Sequence, residues 1–66
     1  MKATVKTIDG VKFFFSEKGE EICKLTFIQT QCLDEGDWVK GSTEPISIPI
    51  STGGEMIETF FLVTEF

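Results

Sequence analysis

Polar and apolar residues alternate along much of this chain, and a two-residue period predicts β-strands with one face turned inward. Met1 to Thr7 alternates in this way. Val11 to Gln31 reads as two further strands joined by the turn Ser16-Glu17-Lys18-Gly19-Glu20, where a Gly three residues after Ser16 suits a three-residue loop closed by a left-handed glycine. Ser16 then faces Glu20, and counting outward sets Phe15 beside Glu21, Phe13 beside Cys23 and Val11 beside Leu25. The opposite face carries Lys12, Phe14, Ile22, Lys24 and Ile28. At Thr7-Ile8-Asp9-Gly10-Val11 a two-residue turn would pair Ile8 with Val11 and Lys6 with Phe13. A three-residue loop pairs Val5 with Phe13 and Ala3 with Phe15. The second register sets apolar against apolar, and is the one the buried face predicts.

The third strand is expected to run from about Glu21 to Gln31, long enough to bend or to serve two neighbours. Leu33 to Asp37 is a further turn, followed by a short return Trp38-Val39-Lys40 with Trp38 opposite Cys32 and on the outer face with Lys40. Pro45 to Ile50 forms a strand whose Pro49 removes a ladder donor and so marks an edge or a bulge. Thr52-Gly53-Gly54-Glu55 then predicts a two-residue turn that pairs Ile50 with Ile57, Ile48 with Thr59 and Ile46 with Phe61. No stretch shows a convincing helical period. The expected fold is all-β, a single domain over residues 1–66 with five or six antiparallel strands closing into a small barrel of the OB or SH3-like kind. An open five-stranded sheet that covers its exposed face by dimerisation is the alternative. The expected interior is Val5, Val11, Phe13, Phe15, Leu25, Phe27, Ile46, Ile48, Ile50, Ile57, Phe61 and Val63.

In the last strand Met56, Phe60, Leu62 and Phe66 form a second apolar row with no obvious cover in 66 residues. That row is the expected homodimer interface, since small domains often gain stability by association.

Composition narrows the chemistry. With no His, Tyr or Arg, no nucleophile–base pair or phosphate-cradling glycine loop can be assembled, so an enzyme is not expected. No cofactor is implied. Two cysteines without histidine do not make a zinc site, and Asp34, Glu35 and Asp37 around Gly36 lack the ligand spacing of a calcium loop. Cys23 and Cys32 lie nine apart, which sets them on opposite faces of one strand. They are expected as reduced thiols in a cytoplasmic protein. Neither a secretory leader nor a membrane span is apparent.

Net charge is −5, from six lysines and eleven acids. The charge is polarised: residues 1–30 hold five lysines against Asp9, Glu17, Glu20 and Glu21, whereas residues 31–66 hold Lys40 alone against seven acids. The first half is therefore the candidate binding side. Single-stranded nucleic acid is held by rings that stack on bases and cations that follow the backbone. Lys2, Lys6, Lys12, Phe14, Ile22, Lys24, Trp38 and Lys40 make up such a face.

The run Ser16-Glu17-Lys18-Gly19-Glu20-Glu21-Ile22, leading into a long strand, resembles the turn and second strand of the small OB-fold single-stranded-DNA-binding proteins of filamentous phages. About a third of the chain carries the resemblance, and Ile22 stands where that family commonly has a stacking aromatic residue. The resemblance implies an OB fold and single-stranded DNA as partner, with the host cytoplasm as location. A competing expectation is an acidic protein-binding module of viral or mobile-element type, using the acidic second half and Trp38 against a basic surface of a host protein.

Overall fold

The computed structural model describes residues 1–66. Its elements, in chain order, are β1 (Lys2–Ile8), β2 (Val11–Ser16), β3 (Glu21–Lys24), α1 (Phe27–Cys32), β4 (Trp38–Pro49) and β5 (Glu55–Glu65). The fold is all-β as expected, one antiparallel sheet in the order β3-β2-β1-β4-β5. β3 and β5 are the sheet's two edges, and no ladder joins them. The sheet is thus open, but curled: the Phe61 ring on β5 lies 4.8 Å from that of Phe14 on β2.

Loop length decides which side chains reach the interior, and two of the three hairpins depart from expectation. Between β1 and β2 the chain uses the two-residue turn. Asp9 and Gly10 both have positive φ, 51° and 80°, as a type I′ turn requires. Ile8 therefore pairs with Val11, Lys6 with Phe13 and Val5 with Phe14. Every side chain of β2 is turned over relative to the three-residue register, which puts Phe14 inside and Phe13 and Phe15 outside.

Between β4 and β5 the departure runs the other way. Gly53 takes the left-handed position (φ 91°), Gly53 N–H donates to Ile50 O, and Ile50 N–H donates to Gly54 O. This is a three-residue loop, so Ile48 pairs with Met56, Ser47 with Ile57 and Ile46 with Glu58. The Ser16–Glu20 turn forms as expected, with Gly19 at φ 84°, Gly19 N–H donating to Ser16 O and Ser16 N–H to Glu20 O. Phe15 duly pairs with Glu21, after which a bulge gives Phe14 opposite Cys23 and Phe13 opposite Lys24.

The long third strand is not present. β3 ends at Lys24 and is followed by α1, whose start is set by a reciprocal cap: Gln29 N–H donates to Thr26 Oγ1 at 3.2 Å and Thr26 N–H to Gln29 Oε1 at 3.0 Å. No residue of α1 itself is buried, and Phe27 and Ile28 are 79% and 73% exposed. The helix is held by its flanks and its polar groups. Leu33 beyond its end is buried, Leu25 before it packs on the core, and Gln29 Nε2 donates to Phe61 O at 2.7 Å, tying α1 to β5.

The interior is small: Ala3, Val5, Phe14, Leu33, Val39 and Phe61, with Ile22, Cys23, Leu25 and Val63 packed against it. Val5 and Phe61 match expectation. Val11, Phe27, Ile46, Ile50 and Ile57 are exposed instead. Three of these, Ile46, Ile50 and Ile57, lie on the distal part of β4 and β5, a two-stranded ribbon, and the molecule is elongated, 39 × 24 × 21 Å. β4 is one continuous strand, not two, with an irregularity at Lys40/Gly41 where the ladder shifts from Lys40–Glu65 to Gly41–Val63. Trp38 pairs with Thr4 of β1, not with Cys32.

Candidate functional site

Directly paired residues of neighbouring strands share a face, so the registers define rows across the outer surface. One row is Glu65–Lys40–Lys2. The next is Trp38–Thr4–Phe15–Glu21, and after it Lys6–Phe13–Lys24. Adjacent strands stand about 4.8 Å apart, so each ring is within reach of the lysines beside it. Lys6 Nζ lies 4.9 Å from the centre of the Phe15 ring, a cation–π contact. Thr4 lies between Trp38 and Phe15. It is nearly covered, and its hydroxyl donates to Asp37 O at 3.0 Å, which leaves no unpaired polar group between the rings.

Lys2, Lys6, Lys24, Trp38 and Lys40 therefore stand together on the outer face as expected. All are exposed, Trp38 at 52%. The other three expected members do not. Phe14 is fully buried opposite Val5, a consequence of the β1–β2 turn. Ile22 is the extra residue of the β3 bulge and turns to the core. Lys12 pairs with Thr7 on the inner side, where its Nζ donates to Thr30 O at 3.1 Å and Leu33 O at 2.8 Å and lies 3.7 Å from Asp34 Oδ1. A cation on the last carbonyls of a helix is a structural cap, favoured by the helix dipole. Phe13 and Phe15, both half-buried, replace Phe14 as the rings of the face. The Asp9-Gly10 pair was the signal for them, since it is the preferred type I′ dipeptide.

The face is moderately basic. Glu21 lies at its β3 edge, and Glu65 Oε2 is 3.8 Å from Lys40 Nζ with both side chains more than half exposed, a geometry that stabilises little. Beside this pair a cleft of about 240 Å³ is lined by Lys2, Trp38, Val39, Lys40, Glu65 and Phe66. Phe66, expected in the dimer row, opens onto this cleft. Met56, Phe60 and Leu62 stay on one face of the ribbon, with Ile46 and Ile48 across from Glu58 and Met56.

The remaining polar groups serve the fold. In the acidic loop, Asp37 Oδ2 accepts from Asp34 N–H, Glu35 Oε1 accepts from Thr7 N–H, and Gly36 N–H donates to Val5 O. No three His, Cys, Asp or Glu side chains converge where a metal ion could sit. Both cysteines are free. Burial pushes the Cys23 thiol up from its ordinary value, with a hydrogen bond to the Phe61 backbone opposing, so Cys23 is held as the neutral, weakly nucleophilic thiol. No helix is long and apolar enough to cross a membrane.

No family model matches the chain, and searches of curated proteins and of solved structures return no match.

Proposed function

We propose that this chain is a non-catalytic binding domain of the OB kind whose ligand is single-stranded nucleic acid, held on the outer face of β1, β2, β3 and the start of β4. One observation carries the reading: three rings, Phe13, Phe15 and Trp38, alternate with Lys2, Lys6, Lys24 and Lys40 in adjacent rows of one sheet face. Rings in that setting stack on unpaired bases whatever their identity, while ammonium groups follow the phosphates. A net charge of −5 disfavours tight duplex binding, which depends on neutralising many phosphates, and it limits the affinity for a single strand as well.

The strand succession supports the OB assignment. A β1-β2-β3 meander, a helix between β3 and β4, and β4 returning beside β1 are compatible with that assignment, since OB barrels are partly open. We further infer that copies associate through the distal ribbon. Exposed Ile46, Ile50, Met56 and Leu62 share one face of a two-stranded projection, the kind of apolar surface that soluble monomers rarely leave free. Two unpaired thiols suit the cytoplasm, that of a host if the chain is viral. The second reading, a host-protein partner, draws on Glu44, Glu55 and Glu58 along the same ribbon, where no lysine balances them.

The test is anisotropy of a fluorescein-labelled oligothymidylate against salt. Lys6→Gln and Lys24→Gln should each flatten the log–log salt slope by about 0.7, and Phe15→Ala should weaken binding about tenfold at unchanged slope. Lysine variants that bind with wild-type affinity and slope would overturn the proposal.

A further inference from the structure

Phe66 belongs neither to the core nor to the paired ribbon. It is 84% exposed, it packs into no core, and it shares the cleft of about 240 Å³ with Trp38, Lys2 and Lys40 instead of joining the ribbon's apolar row. Phe66 lies just beyond Glu65, whose ladder partner is Lys40, and Lys40 in turn pairs with Lys2. The two rings and the two lysines thus come from three different strands or their ends and converge on one opening.

We infer that this cleft is a slot for a single nucleotide, its base held between Trp38 and Phe66 and its phosphate met by Lys2 and Lys40. This rests on the nucleic-acid reading and extends it by naming Phe66 as a ligand-contacting residue and Glu65 as a restraint on the site. A base in the slot meets aromatic surface on both sides, which the open rows at Phe15 and Phe13 do not offer. The strand then continues from the slot along the row that holds Phe15. In the free protein Lys40 is drawn toward Glu65 at 3.8 Å. Bound phosphate competes with that carboxylate for the ammonium group. Glu17, which lies with Lys2 and Trp38 around a neighbouring hollow, adds a second negative charge at the rim. Both carboxylates oppose a phosphate bound there, weakly because they are exposed and screened.

Three variants of the full chain, titrated with fluorescein-labelled octathymidylate and read by anisotropy and by Trp38 fluorescence, test this. Phe66→Leu keeps bulk and removes the ring; its melting curve should match wild type because Phe66 contributes nothing to the core. It should bind about tenfold more weakly with an unchanged salt slope and quench Trp38 less at saturation. Glu65→Gln should bind a few-fold more tightly at low salt and lose that advantage at high salt, because a carboxylate that repels the bound phosphate is gone. Phe15→Ala reports on the wider face. If Phe15→Ala weakens binding while Phe66→Leu and Glu65→Gln behave as wild type, the slot is wrong and the nucleic-acid face stands. If wild-type protein fails to bind the octamer in low salt, both fall.

Discussion

The rings of Phe14 and Phe61 meet at 4.8 Å with their planes tilted by 41°. Phe14 is on β2 and Phe61 on β5, strands separated in the sheet by β1 and β4, so the contact exists only because the sheet curls until its inner faces touch. Both rings are fully buried, and they are the two largest side chains that are. In a chain this small that pair is the centre of a thin core, and it holds the outer rows in register.

Phe14→Ala should accordingly cost about 3–5 kcal/mol, much of the stability available to a small domain. Phe13→Ala and Phe15→Ala, on the outer face, should cost clearly less. Urea denaturation of the three variants checks this, and a Phe13→Ala loss larger than that of Phe14→Ala would reverse the face assignment.

Gly41 is buried where β4 passes closest to β5. A Cβ there would overlap the Leu62 carbonyl and come within 2.9 Å of Cε2 of the Phe61 ring. The obstruction is largely backbone, so Gly41→Ala should destabilise by at least about 1–3 kcal/mol. Thermal melting reports it; an unchanged melting temperature would mean that the bulge at Lys40/Gly41 can relax freely.

Lysines of the two faces should behave differently. Lys12 caps α1 through Thr30 O and Leu33 O, so Lys12→Met should lower stability by about 1–3 kcal/mol, the cost of lost charge-assisted bonds. Lys6→Gln should leave stability within about 0.5 kcal/mol and change oligonucleotide binding instead. Paired melts and titrations of both variants separate the roles.

The thiols should differ in reactivity and pH response. Exposed Cys32 should be alkylated by iodoacetamide first, and Cys23 only slowly, as followed by mass spectrometry. Because burial raises the folded-state pKa of Cys23 above its unfolded value, the associated stability is intact below the unfolded pKa and declines as pH rises through the folded one. Wild type should therefore lose more stability than Cys23→Ala as pH rises above the ordinary thiol pKa of about 8.5.

Much of the fold was legible in the residues, and the losses have physical causes. The Ser16–Glu20 turn and the all-β character follow from local chemistry, whereas Trp38 and Lys40 face outward through pairing with Thr4 and Lys2 and not through the expected Cys32 neighbour. Register at β1–β2 did not follow, because with Phe13, Phe14 and Phe15 in a row, matching apolar to apolar favours Val5–Phe13 and Ala3–Phe15 over the Val5–Phe14 and Ala3–Ser16 pairs that form. Turn chemistry decides there, and Asp9-Gly10 is the stronger guide. At the distal hairpin either Gly53 or Gly54 could take positive φ, and one residue's difference turns the isoleucine row over. Helix α1 was hidden by exposed Phe27 and Ile28, which break the inside-out pattern; Thr26 and Gln29, spaced as a capping box, were its legible mark. The candidate site was half legible for the same reason, since a face built to meet a ligand carries rings that pattern reasoning assigns to the core.

Trp38 fluorescence during titration with a short single-stranded oligonucleotide, at low and at high salt, tests the functional reading most directly, because this indole is the only one in the chain and lies on the proposed face. The prediction is saturable quenching at low salt that weakens steeply as salt rises, with a midpoint shift set by the four lysines of the face. Emission that stays unchanged at low salt through a large excess of oligonucleotide would contradict it.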